Sequence, residues 1–425
     1  MNLIRVVAPQ QLSQSTIQLP PSKSACNRAL VISALCGFDY QEYLPPYDNL
    51  CDDIQAMIDA LSAEGDVLDV KAAGTAMRFS TAYFSVTSKT ITITGSARLK
   101  QRPVAPLVDV LRSLGAKIEY TDSEGHLPLR IQGNPNMQGG EVTLRSDVSS
   151  QFVSALLMIA PKMANGLTLH LEGETVSRPY IDMTIGIMKR FGAKVEWTDE
   201  STIRVEPQYD LNVFRDNPFR VEADWSAASY WLAIKSLTGN TDIQLAGLDA
   251  CSLQGDKRCK ELFEELESTS QRVNKSTSLE VPPTIVDFSN QPDLVQTFVV
   301  YCCMKGLPFH FTGLQTLRVK ETDRINALQT ELLKLGFIIS ATDDEMWWNG
   351  EMKAEPVDVD SVSISTYDDH RMALSFSLCA IRYGRVIIEN PEVVSKSYPT
   401  YWSDLEKVGF QIEAPFSASP KGAEL

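Results

Sequence analysis

LVDVLRSLGAKIEY, from Leu107 to Tyr120, is the stretch of this chain that says most about its fold. Its apolar residues recur at i, i+3, i+4 and i+7 between Leu107 and Leu114, which is the spacing of an amphipathic helix. Gly115 predicts the end of that helix, because glycine adopts the left-handed conformation of a helix C-terminus without steric cost. The residues after Gly115 predict an extended strand, so the stretch encodes a helix, a turn and a strand.

The same pattern of helix, glycine and strand occurs again along the chain. IGIMKRFGAKVEW, LQTELLKLGFIIS and YWSDLEKVGFQIE contain it around Gly192, Gly336 and Gly409. A fainter copy, IQAMIDALSAEG, ends at Gly65, and KRCKELFEELES has lost its glycine. Gly192 follows Gly115 by 77 residues and Gly409 follows Gly336 by 73. These intervals are too long for a solenoid repeat, so each unit should hold two helices and several strands.

The spacing of the copies predicts an α/β (α+β) architecture in two domains. A chain of 425 residues is too long for one compact core. Six units in two groups of three would fill it, and the polar, proline-bearing segment 205–224 is the predicted crossing between the groups. Gly115 follows Gly65 by only 50 residues. We therefore expect the first unit to be shortened, with part of it missing between Gly65 and Gly74.

Composition and charge narrow the class of partner. The chain is 44% hydrophobic and 22% charged, as in an ordinary soluble globular protein. Its net charge of −15 and its pI near 4.8 argue against nucleic-acid and membrane-surface partners, which require basic faces. No apolar run approaches the length of a membrane span, and the N-terminal residues lack the features of a signal peptide. Eight cysteines without a C-x-x-C pair favour free thiols in a reducing cytoplasm, and four scattered histidines do not predict a zinc site.

RVKETDR, from Arg318 to Arg324, carries five charged side chains between a strand-like run and an amphipathic helix. This position predicts a helix start, where cations are unfavourable because the macrodipole is already positive. Lys320 and Arg324 are spaced i, i+4, so they are predicted to face each other with like charge. An anionic ligand would resolve the conflict, held by both cations and by the N–H groups of the first turn.

Similar clusters precede other predicted helices. Ser24, Thr75, Ser150 and Ser177 could each be a plain helix cap, and His370 is predicted to be a satisfied core or cap histidine. The cations are harder to explain in this way. Eight of them lie at or near helix starts: Lys23, Arg28, Arg78, Arg102, Lys320, Arg324, Arg371 and Lys396.

Symmetric packing of the repeats would bring these helix starts into one cleft. Such a cleft would bind ligands with several negative charges, through arginine side chains and helix dipoles. Multiple phosphate and carboxylate groups are the expected ligands. A Walker glycine loop is absent from the sequence, so nucleotide hydrolysis is not indicated.

The motifs of this chain resemble those of a known family. PSKSxxNRAL, GTAMR, SSQFVSALLM, SRPYID, QGD, RVKETDR and DDHRMA, with Arg102–Pro103 after the second, occur in the order found in EPSP synthases (3-phosphoshikimate 1-carboxyvinyltransferases). The resemblance covers Ile17 to Leu405. It implies two domains, each of three βαβαββ units related by pseudo-threefold symmetry. Residues 1–17 and 221–425 would form one domain, residues 18–220 the other, and the active site would lie in the cleft between them.

The resemblance also implies an activity. EPSP synthases are transferases of the shikimate pathway to chorismate and the aromatic amino acids. They join the enolpyruvyl group of phosphoenolpyruvate to the 5-hydroxyl of shikimate 3-phosphate and release phosphate. Both substrates are polyanions, and neither a metal nor an organic cofactor is needed. A cytoplasmic monomer that binds no nucleic acid and no membrane is the corresponding expectation.

The matching motif positions imply roles for individual residues. Shikimate 3-phosphate would contact Lys23, Ser24, Arg28, Ser149, Ser150, Gln151, Ser177, Tyr180, Asp293, Thr316 and Lys320. Phosphoenolpyruvate would contact Lys23, Gly74, Thr75, Arg102, Gln151, Arg324, Arg371 and Lys396. Asp293 would be the base for the attacking hydroxyl, and Glu321 would move the proton at the methylene carbon. Lys23 would stabilise charge and take part in proton transfer.

Three positions depart from the usual family pattern. Ala72 and Phe79 replace Asn and Pro beside the predicted phosphoenolpyruvate site, and Thr316 replaces an Asn that helps to bind the shikimate phosphate. These departures and the short first unit leave a second possibility, a non-catalytic phosphometabolite-binding protein. A third is the sister family that acts on UDP-N-acetylglucosamine, although residues 74–103 lack the reactive cysteine that is common there.

Overall fold

The computed structural model describes residues 2–39, 50–145, 149–240, 242–275, 283–354 and 357–414. Its strands are β1 (Leu3–Val7), β2 (Ser15–Gln18), β3 (Val67–Asp69), β4 (Thr90–Thr94), β5 (Lys117–Tyr120), β6 (Leu129–Gln132), β7 (Gly140–Arg145), β8 (Leu167–Glu172), β9 (Ala193–Trp197), β10 (Thr202–Tyr209), β11 (Ile243–Ala246), β12 (Thr284–Asp287), β13 (Phe309–Thr312), β14 (Ser340–Ala341), β15 (Met346–Trp348), β16 (Ser363–Ile364), β17 (Arg385–Glu389) and β18 (Gln411–Glu413). Its α-helices are α1 (Lys23–Cys36), α2 (Asp52–Leu61), α3 (Gly74–Ser85), α4 (Ala97–Lys100), α5 (Ala105–Ser113), α6 (Ser150–Ile159), α7 (Arg178–Arg190), α8 (Leu211–Asp216), α9 (Trp225–Thr238), α10 (Cys259–Lys275), α11 (Val295–Lys305), α12 (Arg324–Lys334), α13 (His370–Phe376), α14 (Cys379–Tyr383) and α15 (Tyr401–Lys407). Short 3-10 helices cover Ala160–Lys162, Gly255–Arg258, Pro292–Leu294, Gln315–Val319 and Pro391–Lys396. Within the described ranges, no helix combines the length and the apolar composition needed to cross a membrane.

One supersecondary unit recurs along the chain. The stretch Leu107–Tyr120 belongs to a βαβαββ unit built from β3, α3, β4, α5, β5 and β6. β3 runs parallel to β4, and β6 pairs antiparallel with β4 and β5, so the sheet order is β3-β4-β6-β5. The sheets β7-β8-β10-β9 and β12-β13-β15-β14 have the same order. The repeat predicted from the sequence is therefore a structural unit.

A fourth unit is completed by the N-terminus of the chain. Its sheet has the order β16-β17-β1-β18. β16 runs parallel to β17, and β1 pairs antiparallel with β17 and β18, so β1 takes the place that β6 has in the first sheet. Backbone pairing thus attaches residues 3–7 to the C-terminal half of the chain.

The two remaining units are less regular. β2 pairs in parallel with β11, and α9 and α10 pack against each other beside this pair. The unit that holds α1 and α2 is shortened, as expected. The chain leaves α2 at Leu61 and enters β3 at Val67, without the hairpin that follows α5, α7 and α12. The missing part of the first unit is that hairpin.

The repeat glycines end their helices as predicted, with one exception. Gly115, Gly192, Gly336 and Gly409 follow their helices with φ between 83° and 105°, in the left-handed region. The prediction is wrong for Gly65, because α2 ends at Leu61 with Ser62 as its cap residue. Gly65 lies four residues beyond Leu61, and unlike the other four glycines it does not have a positive φ.

Two separate clusters of buried apolar side chains form the core. One joins residues between Ala25 and Val221, and the other joins residues 4–19 to residues between Ala223 and Phe410. We call the parts built around these clusters the first and the second domain. A bridge between Pro21 and Ala223 lies where the chain passes from one to the other. The exact boundaries, at residues 17/18 and 220/221, stay a prediction.

Candidate active site

The residues predicted for the site come together in one cleft between the two domains. All but one line it: Lys23, Ser24, Arg28, Gly74, Thr75, Arg102, Ser149, Ser150, Gln151, Ser177, Tyr180, Asp293, Thr316, Lys320, Glu321, Arg324 and Arg371. Lys396 lies beside it, with Nζ 3.7 Å from Glu321 Oε1. The cleft forms because α1, α3, α6 and α7 of the first domain and α12 and α13 of the second begin there.

None of the four predicted hydroxyls makes a side-chain capping bond at the helices of the first domain that begin at the cleft, although Ser177 occupies the N-cap position of α7. Ser22 caps α1 and Ser149 caps α6, each by accepting a hydrogen bond from a backbone N–H. α3 begins directly at Gly74 after Ala73, and Ser177 precedes α7 in a left-handed conformation without a side-chain cap bond. The interpretation as plain caps is therefore wrong for four hydroxyls that all line the cleft: Ser24, Thr75, Ser150 and Ser177.

The RVKETDR stretch corrects one detail of the sequence interpretation. α12 begins only at Arg324, with Asp323 as N-cap accepting from Asn326 N at 3.1 Å. Lys320 lies before the helix in an extended conformation, so it does not face Arg324 along one helix surface. The two cations converge instead on one carboxylate: Lys320 Nζ lies 3.6 Å and Arg324 Nη1 3.2 Å from Asp293 Oδ1. The repulsion between the two cations is thus offset by Asp293, which is distant in sequence but contacts both of them.

Asp293 is the centre of the cation cluster. Besides its contacts with Lys320 and Arg324, its Oδ2 accepts from Arg371 Nη2 at 2.9 Å and from the Tyr180 hydroxyl at 3.4 Å. Burial opposes its charge, but Arg371, Lys320, Arg324 and Lys23 outweigh burial and hold the pKa of Asp293 well below its usual value. The carboxylate is therefore ionised and can accept a proton.

Glu321 forms a second carboxylate centre at the domain junction. Its Oε2 accepts from Arg324 Nη2 at 3.0 Å, and its Oε1 lies 3.8 Å from Arg102 Nη1 of the first domain. Burial raises the pKa of Glu321, but Arg324, Lys396 and Arg102 together lower it by more, so the net pKa lies well below the usual value. Both predicted acid–base residues thus lie among cations that anionic ligands would also bind.

Arg324 and Arg28 are buried cations held by several hydrogen bonds each. Arg324 is 1% exposed and donates from Nε to Asp369 Oδ2 at 2.7 Å. Arg28 donates from Nε to Thr184 Oγ1 at 2.6 Å and from Nη1 to the Ser24 carbonyl at 2.7 Å. Its burial lowers the pKa of Arg28 to about 10, which leaves it charged at neutral pH. Fixed guanidinium groups of this kind bind carboxylate or phosphate without first losing side-chain freedom.

The three residues that depart from the family pattern line the cleft or contact residues of the site. The Phe79 ring is fully buried and lies 5.4 Å from the Arg28 guanidinium carbon, a cation–π distance. The Ala72 carbonyl accepts from Lys396 Nζ at 2.9 Å. Thr316 lines the cleft, and its buried Oγ1 has no hydrogen-bond partner among the described residues.

Sequence reasoning missed two acidic residues at the site. Asp53, at the start of α2, lies 3.1 Å from Lys23 Nζ through its Oδ2. Asp256, in the QGD motif, accepts from the Tyr180 hydroxyl at 3.1 Å and from Ser226 Oγ. Acidic residues in a first helical turn are ordinarily explained by the helix dipole, so the sequence does not reveal that Asp53 is buried in the cleft or that Asp256 is buried beside Tyr180.

His370 was also misjudged. It is 1% exposed and lines the cleft, but neither ring nitrogen makes a hydrogen bond within the described part of the chain. The cap of α13 is Asp369, whose carboxylate accepts from Arg371 N at 2.9 Å. The prediction of a satisfied core or cap histidine is therefore wrong. Burial, with Lys23 and Arg371 nearby, lowers the pKa of His370 well below its usual value, so the ring is neutral.

Comparison with known proteins agrees with this geometry. The family model of EPSP synthase (3-phosphoshikimate 1-carboxyvinyltransferase) matches residues 47–405. A 3-phosphoshikimate 1-carboxyvinyltransferase of Bacteroides fragilis is 50% identical over 415 residues, covering 96% of this chain and 98% of the relative. One of Erwinia tasmaniensis is 33% identical over 431 residues, covering 94% and 97%.

Solved structures show the same fold at much lower sequence identity. EPSP synthase from Acinetobacter baumannii matches with a TM-score of 0.71 and 18% identity, over 98% of this chain and all of that one. The enolpyruvyl transferase NikO from Streptomyces tendae matches with a TM-score of 0.65 and 12% identity, over 98% and 99%. The architecture is thus the two-domain fold of the enolpyruvyl transferases. Within that class, the chain belongs to the EPSP synthase family.

Proposed function

We propose that this chain transfers the enolpyruvyl group of phosphoenolpyruvate to the 5-hydroxyl of shikimate 3-phosphate and releases phosphate. The observation that carries the proposal is the placement of two ionised carboxylates, Asp293 and Glu321, among cations from both domains in one cleft. Such a site can hold two polyanions together and move protons between them. Relatives at 50% and 33% identity carry the name of this activity.

Shikimate 3-phosphate would lie across the domain junction. We propose that its phosphate is bound by Ser149, Ser150, Ser177 and Lys320, and its carboxylate by Arg28 and Ser24. Gln151 and Tyr180 would support the ring, and Asp293 would contact the ring hydroxyls. Thr316 would hydrogen-bond to the ligand through its Oγ1, which has no partner among the described residues. The ligand would thereby bridge α6 and α7 of the first domain to the RVKETDR stretch of the second.

Phosphoenolpyruvate would bind beside it, between Arg102 and Lys23 of the first domain and Arg324, Arg371 and Lys396 of the second. Gly74 and Thr75, at the start of α3, would offer backbone N–H groups to the anion. A methyl group at Gly74 would lie 2.6 Å from Arg102 Nη1. A side chain at this position would therefore displace the guanidinium groups of Arg102 and Arg78 from the helix start.

The proposed reaction begins at the 5-hydroxyl. Asp293 takes the hydroxyl proton as the oxygen bonds to the second carbon of phosphoenolpyruvate, while Glu321 delivers a proton to the methylene carbon. Glu321 must first carry that proton, and its pKa in the unliganded cleft is low because Arg324, Lys396 and Arg102 surround it. Substrate anions that bind these cations weaken this effect, so we expect the pKa values of Glu321 and Asp293 to rise in the complex.

The second half of the reaction reverses the proton step. Glu321 removes a proton from the new methyl group as the carbon–oxygen bond to phosphate breaks, which restores the enol double bond and releases phosphate. Lys23 would stabilise the negative charge on the departing phosphate and take part in proton transfer. These steps are carried by side chains of the chain itself. That no metal or organic cofactor takes part, and that the protein is a cytoplasmic monomer without a nucleic-acid partner, stay predictions.

The test is phosphate release from phosphoenolpyruvate with shikimate 3-phosphate as acceptor, compared with UDP-N-acetylglucosamine. We expect phosphate release when shikimate 3-phosphate is the acceptor and none when UDP-N-acetylglucosamine is the acceptor. Release only with UDP-N-acetylglucosamine would assign the chain to the sister activity. Binding of both ligands without any release would indicate a non-catalytic binding protein, the reading that Ala72, Phe79 and Thr316 first suggested.

A further inference from the structure

Helix α2 of the shortened unit begins at the domain junction with two aspartates of different environments. Asp52 is exposed, as expected for an acid in a first helical turn. Asp53 is only 4% exposed and lines the cleft. Burying a carboxylate costs free energy unless charged partners compensate its lost hydration. The partners of Asp53 therefore indicate its role.

The partners of Asp53 are two lysines that come from different domains. Its Oδ2 lies 3.1 Å from Lys23 Nζ, at the start of α1 in the first domain. Its Oδ1 lies 3.8 Å from Lys396 Nζ, at the end of the 3-10 helix Pro391–Lys396 in the second domain. One carboxylate therefore spans the two ammonium groups that the proposed function assigns to phosphoenolpyruvate.

Neighbouring contacts attach the same elements to each other. Ser395 Oγ donates to Asp52 Oδ2 at 2.6 Å, and Lys396 Nζ donates to the Ala72 carbonyl at 2.9 Å. The 3-10 helix of the second domain thus rests on α2 and on the turn before α3. These contacts exist only while the domains are together, because they join side chains of one domain to groups of the other.

We propose that Asp53 is a positioning residue that draws the ammonium groups of Lys23 and Lys396 onto one anion site as the cleft closes. This inference rests on the proposed function. Without a carboxylate between them, the two ammonium groups would repel each other as the domains approach. With it, closure brings both cations to the place where the anion binds, and part of the repulsion is offset before the ligand arrives.

The charge of Lys23 supports this role. Burial lowers the pKa of Lys23, but Asp53 opposes it most strongly, with smaller contributions from Glu321 and Asp293, and the net pKa is above the usual value. The charged and titratable groups around Lys23 are Asp53 on α2, Cys51 before it, Asp293 before α11, Glu321 before α12, His370 and Arg371 on α13, and Lys396 beside Asp53. Neutralising Asp53 removes the largest favourable charge, so Lys23 should lose its proton at lower pH.

The variant Asp53→Asn tests the inference. We expect the KM for phosphoenolpyruvate to rise about tenfold or more, as when one partner of a buried charge pair is removed, while the KM for shikimate 3-phosphate changes much less. The alkaline limb of kcat/KM for phosphoenolpyruvate should move to lower pH. Asp53→Glu, which keeps the charge, should recover part of both. The control is Asp59→Asn, which makes the same charge change on the exposed face of α2.

Two results would overturn the inference. One is an Asp53→Asn enzyme whose phosphoenolpyruvate KM and alkaline limb match those of Asp59→Asn. The other is an equal loss in Asp53→Asn and Asp53→Glu with an unchanged pH profile, which would indicate packing alone. If Asp53→Asn does not fold, judged by its thermal transition, Asp53→Glu against the wild type decides by the same two readouts. A wild-type protein that binds phosphoenolpyruvate but releases no phosphate would refute the proposed function instead, and calorimetric binding of phosphoenolpyruvate would then test Asp53 by itself.

Discussion

Among single residues, Glu321 is the one whose loss should lower the catalytic rate without weakening substrate binding. Glu321→Gln keeps the size of the side chain and its contact with Arg324 but cannot carry the proton to and from the methylene carbon. We expect kcat to fall by about 10²–10⁴, the usual contribution of general acid–base catalysis, while the affinity for shikimate 3-phosphate changes little. Phosphate release and calorimetric binding measure the two quantities. The exposed Glu351→Gln is the matched control, and retention of more than a tenth of kcat in Glu321→Gln would contradict the assignment.

Asp256 should make the stability of the protein depend on pH. Burial, with Asp293 nearby, raises the pKa of Asp256 to about 6, against ~3.9 in an unfolded chain. A carboxyl group with a raised folded pKa stabilises the folded state while it is protonated. Its contribution is therefore present below about pH 4 and is lost as the pH rises through about 6, by ~3 kcal/mol in total.

Asp256→Asn removes this dependence. Compared with the wild type, the variant should gain thermal stability steadily between pH 4 and pH 7, as followed by calorimetric unfolding across that range. Asp242→Asn, at an exposed aspartate of the same domain, should keep the pH dependence of the wild type. A stability difference between Asp256→Asn and the wild type that is independent of pH would show that Asp256 is ionised in the folded state throughout.

The residues that the sequence identified and those it missed differ in a physical way. Lys320 and Arg371 could be found because cations at helix starts break a local electrostatic rule, and the matching motifs then implied their ligands. Asp53 obeys the local rule, since an acid is favourable in a first turn, so only its burial reveals a second role. Whether the His370 ring is hydrogen-bonded could not be predicted, because the partners of a buried ring come from side chains that are distant in the sequence.

At the level of elements, the repeat glycines differ in how much space surrounds them. Gly115 and Gly192 occupy equivalent positions after α5 and α7, with φ of 99° and 83°. A Cβ at Gly115 would meet only Asn134 Nδ2, at 3.9 Å, whereas at Gly192 it would lie 1.9 Å from the Asp210 carbonyl oxygen. Gly115→Ala should therefore cost ~1–2 kcal/mol from backbone strain alone, and Gly192→Ala more than about 3 kcal/mol because the backbone must also move.

Urea unfolding of the two variants, read by fluorescence, measures this difference. The pair controls itself, since both variants add one methyl group at the same position of the repeat. Equal losses would mean that the chain around Asp210 can move without cost, and that the close approach of β10 and α8 to Gly192 is not a constraint of the fold.

The order of elements could be predicted from the sequence, but their ends could not. Four glycines with helical periodicity before them were enough to predict a repeated unit of two helices and several strands, whereas the βαβαββ order was implied by the family resemblance. The helix after RVKETDR was expected to include the i, i+4 pair of Lys320 and Arg324, but Asp323 caps it at Arg324 and Lys320 lies outside it. The hairpin missing after α2 was visible only as a short interval, since a deletion leaves no residues to interpret.

For the molecule as a whole, the cleft is held by contacts that cross between the domains. Arg98 of the first domain donates from Nε to the Glu321 carbonyl at 3.1 Å and from Nη2 to the Lys320 carbonyl at 3.2 Å. These bonds reach the backbone of the stretch whose side chains are proposed to bind shikimate phosphate and to move the proton. Ligand binding and domain closure should therefore depend on each other.

Small-angle scattering tests this dependence. Shikimate 3-phosphate should reduce the radius of gyration, because its proposed ligands lie in both domains, and shikimate without the phosphate should have a smaller effect at equal concentration. Arg98→Ala removes two hydrogen bonds that join the domains, at ~1 kcal/mol each. It should therefore require roughly tenfold or more shikimate 3-phosphate for the same compaction. Arg130→Ala, which removes an exposed arginine within the first domain, should behave like the wild type.

An unchanged radius of gyration at saturating ligand would refute a site shared between the domains. Normal compaction of Arg98→Ala would instead restrict the coupling between binding and closure to the side chains that bind the ligand directly.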